Sequence, residues 1–412
     1  MTAAHQPPPA ARDSGRRLFI AGLGIGQIVL WGSLYYSFPL IAEPMGRELG
    51  VGKASVYGAA TVSVLTASLA AYLVGAAIDR GHGRRIMTAG SFLSGLLLFA
   101  WSRVGDIEWL YLLHLGIGVA QAMSLYDACF AVVARRYGPE ARHGITALTL
   151  WGGFAGTVFV PLIQVLVDHL GWRGALVALG CIDLALCVAI HLLAIDPRAD
   201  APRPAPPPSG GPSPLAGRRA VAWAMGQPTF WGLAIAFTVY SLTFSGFSFH
   251  LYPLLLERGL DAATVVAGIA VIGPAQVVGR GAVWLLARTR SIRTIGRVTV
   301  LALPVAMLLL LLLPPGFGSL ALFAVVFGGA NGIMTIVRGV AVHEMLTRDA
   351  YGAINGAMAV PSVAARAAAP VAVAAFWDYS GSYDAFLVLV VVGSLCVVAG
   401  FWYAASRREA GR

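Results

Sequence analysis

The sequence predicts an all-α membrane protein of twelve transmembrane helices, arranged as two six-helix pseudo-symmetric bundles. Three observations carry that expectation. Apolar blocks long enough to cross a bilayer recur along the chain, a proline-rich break separates the sixth from the seventh, and a short motif repeats across the break.

The composition excludes an ordinary soluble protein. Of the 412 residues 58% are hydrophobic and 12% charged, about half the charged share of a soluble chain. The apolar blocks fall at 18–42, 55–78, 86–103, 109–134, 144–169, 174–195, 227–256, 264–287, 294–313, 319–345, 351–376 and 385–405. A helix needs ~20 residues to cross ~30 Å of hydrocarbon, and these blocks match that length. Arg16-Arg17 before an apolar run imitates a signal peptide. The run from Leu18 to Ala42 is too long for a signal core and no convincing cleavage site follows, so it is expected to be the first span.

The net charge of +10 is not a nucleic-acid footprint, and no nucleic-acid partner is expected. With a cytoplasmic N-terminus, twenty basic residues fall on inner segments, clustered as in Arg84-Arg85, Arg135-Arg136, Arg218-Arg219 and Arg407-Arg408. Five fall on outer segments: Arg47, Lys53, Arg103, Arg173 and Arg258. This positive-inside bias places both termini in the cytoplasm, and the expected location is a bacterial inner (plasma) membrane. Cys129, Cys181, Cys187 and Cys396 lie in apolar blocks without metal-ligand spacing, so they read as small buried hydrophobes and no metal is expected.

Residues 196–226 form the longest polar stretch, and its proline density favours extended linker over helix. It divides the chain into a tail (1–17), a bundle (18–195), the cytoplasmic linker (196–226), a second bundle (227–405) and a C-terminal tail (406–412). The motif from Asp168 to Ala175, after the fifth span, matches the one from Asp378 to Ala385, after the eleventh, with Gly171 and Gly381 in register. Phe38-Pro39-Leu40 and Tyr252-Pro253-Leu254 close the first and seventh spans alike.

The loop after span two reads Gly75-Ala-Ala-Ile-Asp79-Arg80-Gly-His-Gly83-Arg84-Arg85. It resembles the G-x-x-x-D-R-x-G-R-R signature of the major facilitator superfamily, with one extra residue before Gly83, and the resemblance extends from about residue 18 to 405. It implies alternating access by rocking of two halves, with spans 1, 4, 7 and 10 nearest the cavity, in a protein that works as a monomer. Asp79 ends a helix where it can meet the positive N-terminus of a neighbour, and Arg80, Arg84 and Arg85 can bridge to carbonyls or acids. Either these contacts gate the cytoplasmic face or the arginines only set topology.

Ionisable residues at membrane depth cost roughly 2.5–3.5 kcal/mol each on insertion scales, so each is a site candidate. Span eight carries Gln276 and Arg280 one turn apart on one face, span eleven carries Arg366 near its middle, and span ten carries Arg338. The acids at depth are Asp127, Asp183 and Glu344. Asp127 and Arg338 stand at equivalent heights in the repeat and can form a cytoplasmic-side charge pair, unless Arg338 meets Glu344 or carbonyls at its own helix end. Arg280 and Arg366 keep their protons and suit a carboxylate or similar oxyanion. An arginine in span eight resembles the monocarboxylate and oxalate–formate branches of the superfamily, where that residue binds substrate carboxylate. Two features depart from those branches: the first-span signature D/E-G-G/S-W/F-G-W is replaced by Gln27-Ile-Val-Leu-Trp31-Gly32-Ser33, and Gln276 replaces an acid.

Tyr35, Tyr36 and Tyr126 are candidates to line the cavity or to sit at the interface. Asn331 and Gln121 line the path or hydrogen-bond between the halves. His250, three residues before Pro253, either carries a coupling proton or is a satisfied structural histidine. Asp183 in span six is read as a structural hydrogen bond. The glycines at 152, 153, 156, 328 and 329 are small-residue patches that let helices approach.

No P-loop, zinc pattern or paired catalytic acids is present, so the sequence predicts neither an enzyme nor a bound cofactor. It predicts a secondary transporter of a small organic anion such as a monocarboxylate, by proton symport or anion exchange, with the lipid bilayer and protons as its other partners. The alternatives are a proton-coupled exporter of drugs or metabolites and a transporter-like receptor.

Overall fold

The computed structural model describes residues 9–137, 141–196, 217–286, 290–347 and 351–407, and among them there is no strand. The first half contains α1 (Pro9–Trp31), α2 (Ser37–Leu49), α3 (Lys53–Ala77), α4 (Gly83–Trp101), α5 (Ile107–Ser124), α6 (Tyr126–Tyr137), α7 (Ala141–Gly153), α8 (Ala155–Ile182) and α9 (Val188–Ala194). Wider π turns join α1 to α2 (Gly32–Tyr36), α3 to α4 (Ile78–His82) and α8 to α9 (Asp183–Cys187). The second half contains α10 (Gly217–Met225), α11 (Pro228–Glu257), α12 (Ala262–Leu286), α13 (Ile292–Leu312), α14 (Phe317–Met345), α15 (Tyr351–Ser380) and α16 (Tyr383–Ser406).

Among the described residues, ten helical segments are long and apolar enough to cross a membrane. Two of them, Lys53–Trp101 with 49 residues and Gly144–Ala194 with 51, would each run about 75 Å if straight. That is more than twice the hydrocarbon core. Each folds back at a glycine of positive φ, Gly81 (93°) and Gly171 (68°), a conformation other residues rarely take. Each therefore crosses twice, and the crossings among the described residues number twelve, as predicted. Gly381 (φ 71°) matches Gly171, so the repeated motif has a glycine of positive φ at both of its copies.

The linker reading needs one correction. Residues 197–216, which hold its prolines, lie outside the described residues, but Gly217–Met225 is a helix. That stretch contains no proline, and Ala220 and Ala224 are fully buried in the core with Leu233, Val300, Val337 and Phe401. The cysteine reading also changes in part. Cys129 and Cys187 are buried, whereas Cys181 and Cys396 are exposed beside exposed apolar neighbours such as Val177 and Leu395.

The chain groups into two compact units. One comprises Met1–Ser37 and Thr66–Arg203, the other Phe38–Leu65 and Pro204–Arg412. The core of the first unit includes Leu23, Ile78, Met87, Cys129, Val133 and Leu148.

Candidate functional site

In the second unit, α12 and α14 touch backbone to backbone. A Cβ on Gly279 would stand 2.5 Å from the Gly329 carbonyl, one on Gly328 would stand 2.6 Å from the Ile272 carbonyl, and one on Gly332 would collide with the Gln276 carbonyl. Glycine is what permits this approach. For Gly328 the patch works as the sequence suggests.

That contact sets the height of the arginines. Arg280 Nε donates to the Gly332 carbonyl at 3.3 Å, so α12 and α14 share a side-chain tie just where they are closest. The Tyr240 hydroxyl of α11 donates to Asn331 Oδ1 of α14. The Arg338 guanidinium carbon lies 5.7 Å from the Tyr240 ring centroid and 5.8 Å from that of Phe237, within the range of a cation–π contact. Tyr240 is within electrostatic reach of both Arg338 and Arg280, and Arg338 is within reach of Arg366. Ser245 Oγ donates to the Arg366 carbonyl at 2.9 Å, holding α15 on α11. Arg338 thus lies against the Tyr240 ring, with Arg280 within electrostatic reach of Tyr240 and Arg366 within reach of Arg338. Gln276, Arg280 and Arg338 are half-buried and Arg366 is exposed.

Sequence reasoning missed Tyr240. Its signal was a tyrosine in the middle of an apolar span, where the hydroxyl must find a partner. It also read Arg338 as a gating charge; in the structure Arg338 lies against the Phe237 and Tyr240 rings. Glu344 accepts from the Ile292 backbone N–H at 3.1 Å and so caps α13.

In the first unit, Tyr35 and Tyr126 pack on Trp31 and Tyr36 packs on Tyr35. Ring centroids are 5.2 Å apart for Trp31–Tyr35 and for Trp31–Tyr126, and 5.5 Å for Tyr35–Tyr36. Their seats are glycines of the fifth span: a Cβ on Gly152 would collide with the Tyr126 hydroxyl, and one on Gly156 would stand 3.3 Å from the Tyr36 ring. These glycines therefore admit aromatic rings rather than a helix backbone. Span four breaks at Leu125, whose backbone is extended. The Ser124 carbonyl at the break receives Gln27 Nε2 at 2.8 Å, and Gln121 Nε2 donates to the Leu34 carbonyl of the π turn at 3.0 Å. Tyr126 and Asp127 open α6, with Asp127 exposed in its first turn, where a negative charge suits the helix dipole.

The signature loop is built around Gly81. Asp79, Arg80 and Arg85 are exposed and Arg84 is half-buried. Arg135 Nη1 donates to the backbone carbonyl of Asp79, so the loop is tied to span four through the main chain.

His250 is fully buried in the second unit and stacks on Tyr57 at 4.0 Å. Its Nδ1 lies 2.8 Å from the Tyr383 hydroxyl and its Nε2 2.9 Å from the Pro370 carbonyl. A neutral ring protonated on Nε2 satisfies both, which favours the structural alternative. Nearby, Lys53 Nζ stands 3.4 Å over the Trp377 ring, and Glu257 accepts from Trp377 Nε1 at 2.6 Å and from the Tyr383 backbone at 2.7 Å. Asp378 accepts from the Ala54 N–H at 3.3 Å, at the start of α3. The sequence singled out neither Lys53 nor Glu257 for this role, because neither stands at depth.

Comparisons agree with this architecture. Human monocarboxylate transporter 11 is 31% identical over 269 residues, covering 62% of this chain and 52% of that protein. Its mouse counterpart is 32% identical over 271 residues, covering 62% and 55%. The chain spans about half the length of these curated relatives. Among solved structures, a bacterial homologue of the human lysosomal transporter Spinster has a TM-score of 0.70 at 14% identity, covering 97% of this chain and 98% of its own. The nucleoside transporter NupG has a TM-score of 0.72 at 14% identity, covering 96% and 100%. At such identities the likeness is one of fold. The family model of the Major Facilitator Superfamily matches residues 23–370, and the chain belongs to that superfamily of membrane transporters.

Proposed function

We propose that this transporter moves a small organic anion such as a monocarboxylate across a bacterial inner membrane by alternating access, through proton symport or anion exchange. The observation that carries the reading is Arg338 against the Tyr240 ring, with Tyr240 bonded to Asn331, Arg280 bonded to the Gly332 carbonyl of the same helix as Asn331, and Arg366 within electrostatic reach of Arg338. Three like charges gathered at membrane depth repel one another, and an anion entering among them offsets that cost. Planar guanidinium groups bind carboxylates with two parallel hydrogen bonds, which gives direction as well as energy. Tyr240 and Asn331 supply neutral polar groups beside the charge, and Gln276 stands one turn from Arg280. The monocarboxylate transporters among its relatives support the same class of solute.

The aromatic group of Trp31, Tyr35, Tyr36 and Tyr126 suits the apolar part of such a solute. In this reading Asp79, Arg80, Arg84 and Arg85 latch the cytoplasmic face. Both termini are cytoplasmic and the working unit is a monomer.

The test is uptake of labelled lactate, pyruvate, formate and oxalate into proteoliposomes, for wild type, Arg280→Gln and Arg366→Gln, with and without an inward proton gradient. Saturable uptake of one anion should fall to background in each variant. Normal uptake in both variants would make the arginines structural and give the exporter reading the lead.

A further inference from the structure

We infer that Asp183 is a proton-binding site within the first unit, with the Ser33 hydroxyl as its fixed partner and the π turn of span one as the element it controls. Its coupling role rests on the transporter reading above; the protonation is a property of these residues alone.

Asp183 lies midway between Trp172 and Ala194 in span six and is fully buried. Its Oδ2 accepts from Ser33 Oγ at 3.0 Å. Its Oδ1 is also buried and has no hydrogen-bond partner among the described residues. An ionised carboxylate can accept about four hydrogen bonds, and one is a poor return for a charge at this depth. A carboxyl so placed is sensitive to the gain or loss of a single proton, which would be carried on Oδ1.

The groups around it leave that proton unclaimed by any fixed cation. Cys187 and His191 follow Asp183 at four-residue steps on the same helix face, and both are fully buried. His191 Nδ1 lies 2.7 Å from Ser91 Oγ and 3.1 Å from the Met87 carbonyl of α4, and its Nε2 has no partner among the described residues. Of the helices packed on this face, α1 has no titratable side chain between Arg17 and Tyr35, and α4 has none between Arg85 and Trp101. In α8, Asp168, His169 and Arg173 lie beside the Gly171 fold, and Cys181 is exposed. His250, by contrast, has both ring nitrogens engaged.

The geometry also supplies a transmission. Ser33 sits in the π turn Gly32–Tyr36 and Asp183 opens the π turn Asp183–Cys187, so the hydrogen bond joins two widened turns. Such turns mark functional sites in helices. With Asp183 ionised, the Ser33 bond is charge-assisted; with a proton on Oδ1, it becomes a neutral bond of roughly half the strength. One proton taken up loosens the turn, and one proton released tightens it. That turn carries Tyr35 and Tyr36.

The experiment is infrared spectroscopy of purified protein across a pH series, read as the C=O stretch of a protonated carboxyl, for wild type, Asp183→Asn and Ser33→Ala. Anion exchange and gradient-driven accumulation are measured on the same proteins in liposomes. Wild type should show a titrating band that Asp183→Asn lacks and whose midpoint Ser33→Ala shifts. Asp183→Asn should keep anion exchange and lose accumulation driven by a proton gradient. A band that never titrates, or accumulation in Asp183→Asn equal to wild type, would overturn the inference. If no anion moves in any protein, the anion reading fails while the infrared titration still decides the proton site.

Discussion

Tyr240 shows how a single hydroxyl can organise charges that repel. It donates to Asn331 and offers its ring to Arg338, so removing the hydroxyl alone leaves a buried amide oxygen without its donor. Such an orphan costs about 1–3 kcal/mol. Tyr240→Phe should therefore lower the thermal midpoint of the purified protein by a few degrees and raise the half-saturating anion concentration; an unchanged melt would mean that the bond contributes little. The four site residues at depth that matter most here, Arg280, Arg338, Arg366 and Asn331, were legible in the sequence because polar groups in apolar blocks stand out. Their grouping was not, since it depends on which faces of α11, α12, α14 and α15 meet. Asp183 was legible as an acid that makes a structural hydrogen bond, and its bond from Ser33 is present. Its unpartnered oxygen is visible only when burial is known.

At the scale of elements, glycines separate two kinds of contact. Gly332 faces the backbone of Gln276, which cannot turn aside, whereas Gly152 faces the free end of the Tyr126 side chain, which can. Gly332→Ala should cost about 1–3 kcal/mol of stability, as overpacking does, and should abolish anion uptake by moving Arg280. Gly152→Ala should leave stability within about 1 kcal/mol of wild type and weaken uptake only by displacing the Tyr126 ring. Thermal melts with uptake on the same preparations check both, and equal melts for the two variants would contradict the distinction. The glycine at 171 and its partner at 381 were readable as a repeat, and both adopt positive φ. The π turns were not readable, because no residue type marks them. The helix α10 was hidden by the prolines that precede it.

Across the whole molecule, hydrophobic block length alone gave the twelve crossings, since a bilayer leaves helices few other choices. Replacing residues 197–216 with a neutral flexible spacer of equal length should leave anion uptake unchanged, as expected of a carrier. Loss of uptake in that variant, with normal folding, would favour a signalling role for the linker. The central claim is that the arginine group of the second unit recognises a carboxylate, and ligand-induced stabilisation reads it without requiring transport. Binding at a hundred times the dissociation constant stabilises a folded protein by about 2.7 kcal/mol. The direct measurement is the thermal midpoint of the purified transporter against lactate, pyruvate, formate, oxalate and a set of small amines. The account predicts a saturable rise with at least one carboxylate, absent in Arg280→Gln; a rise with amines alone, or an equal carboxylate rise in both proteins, would contradict it.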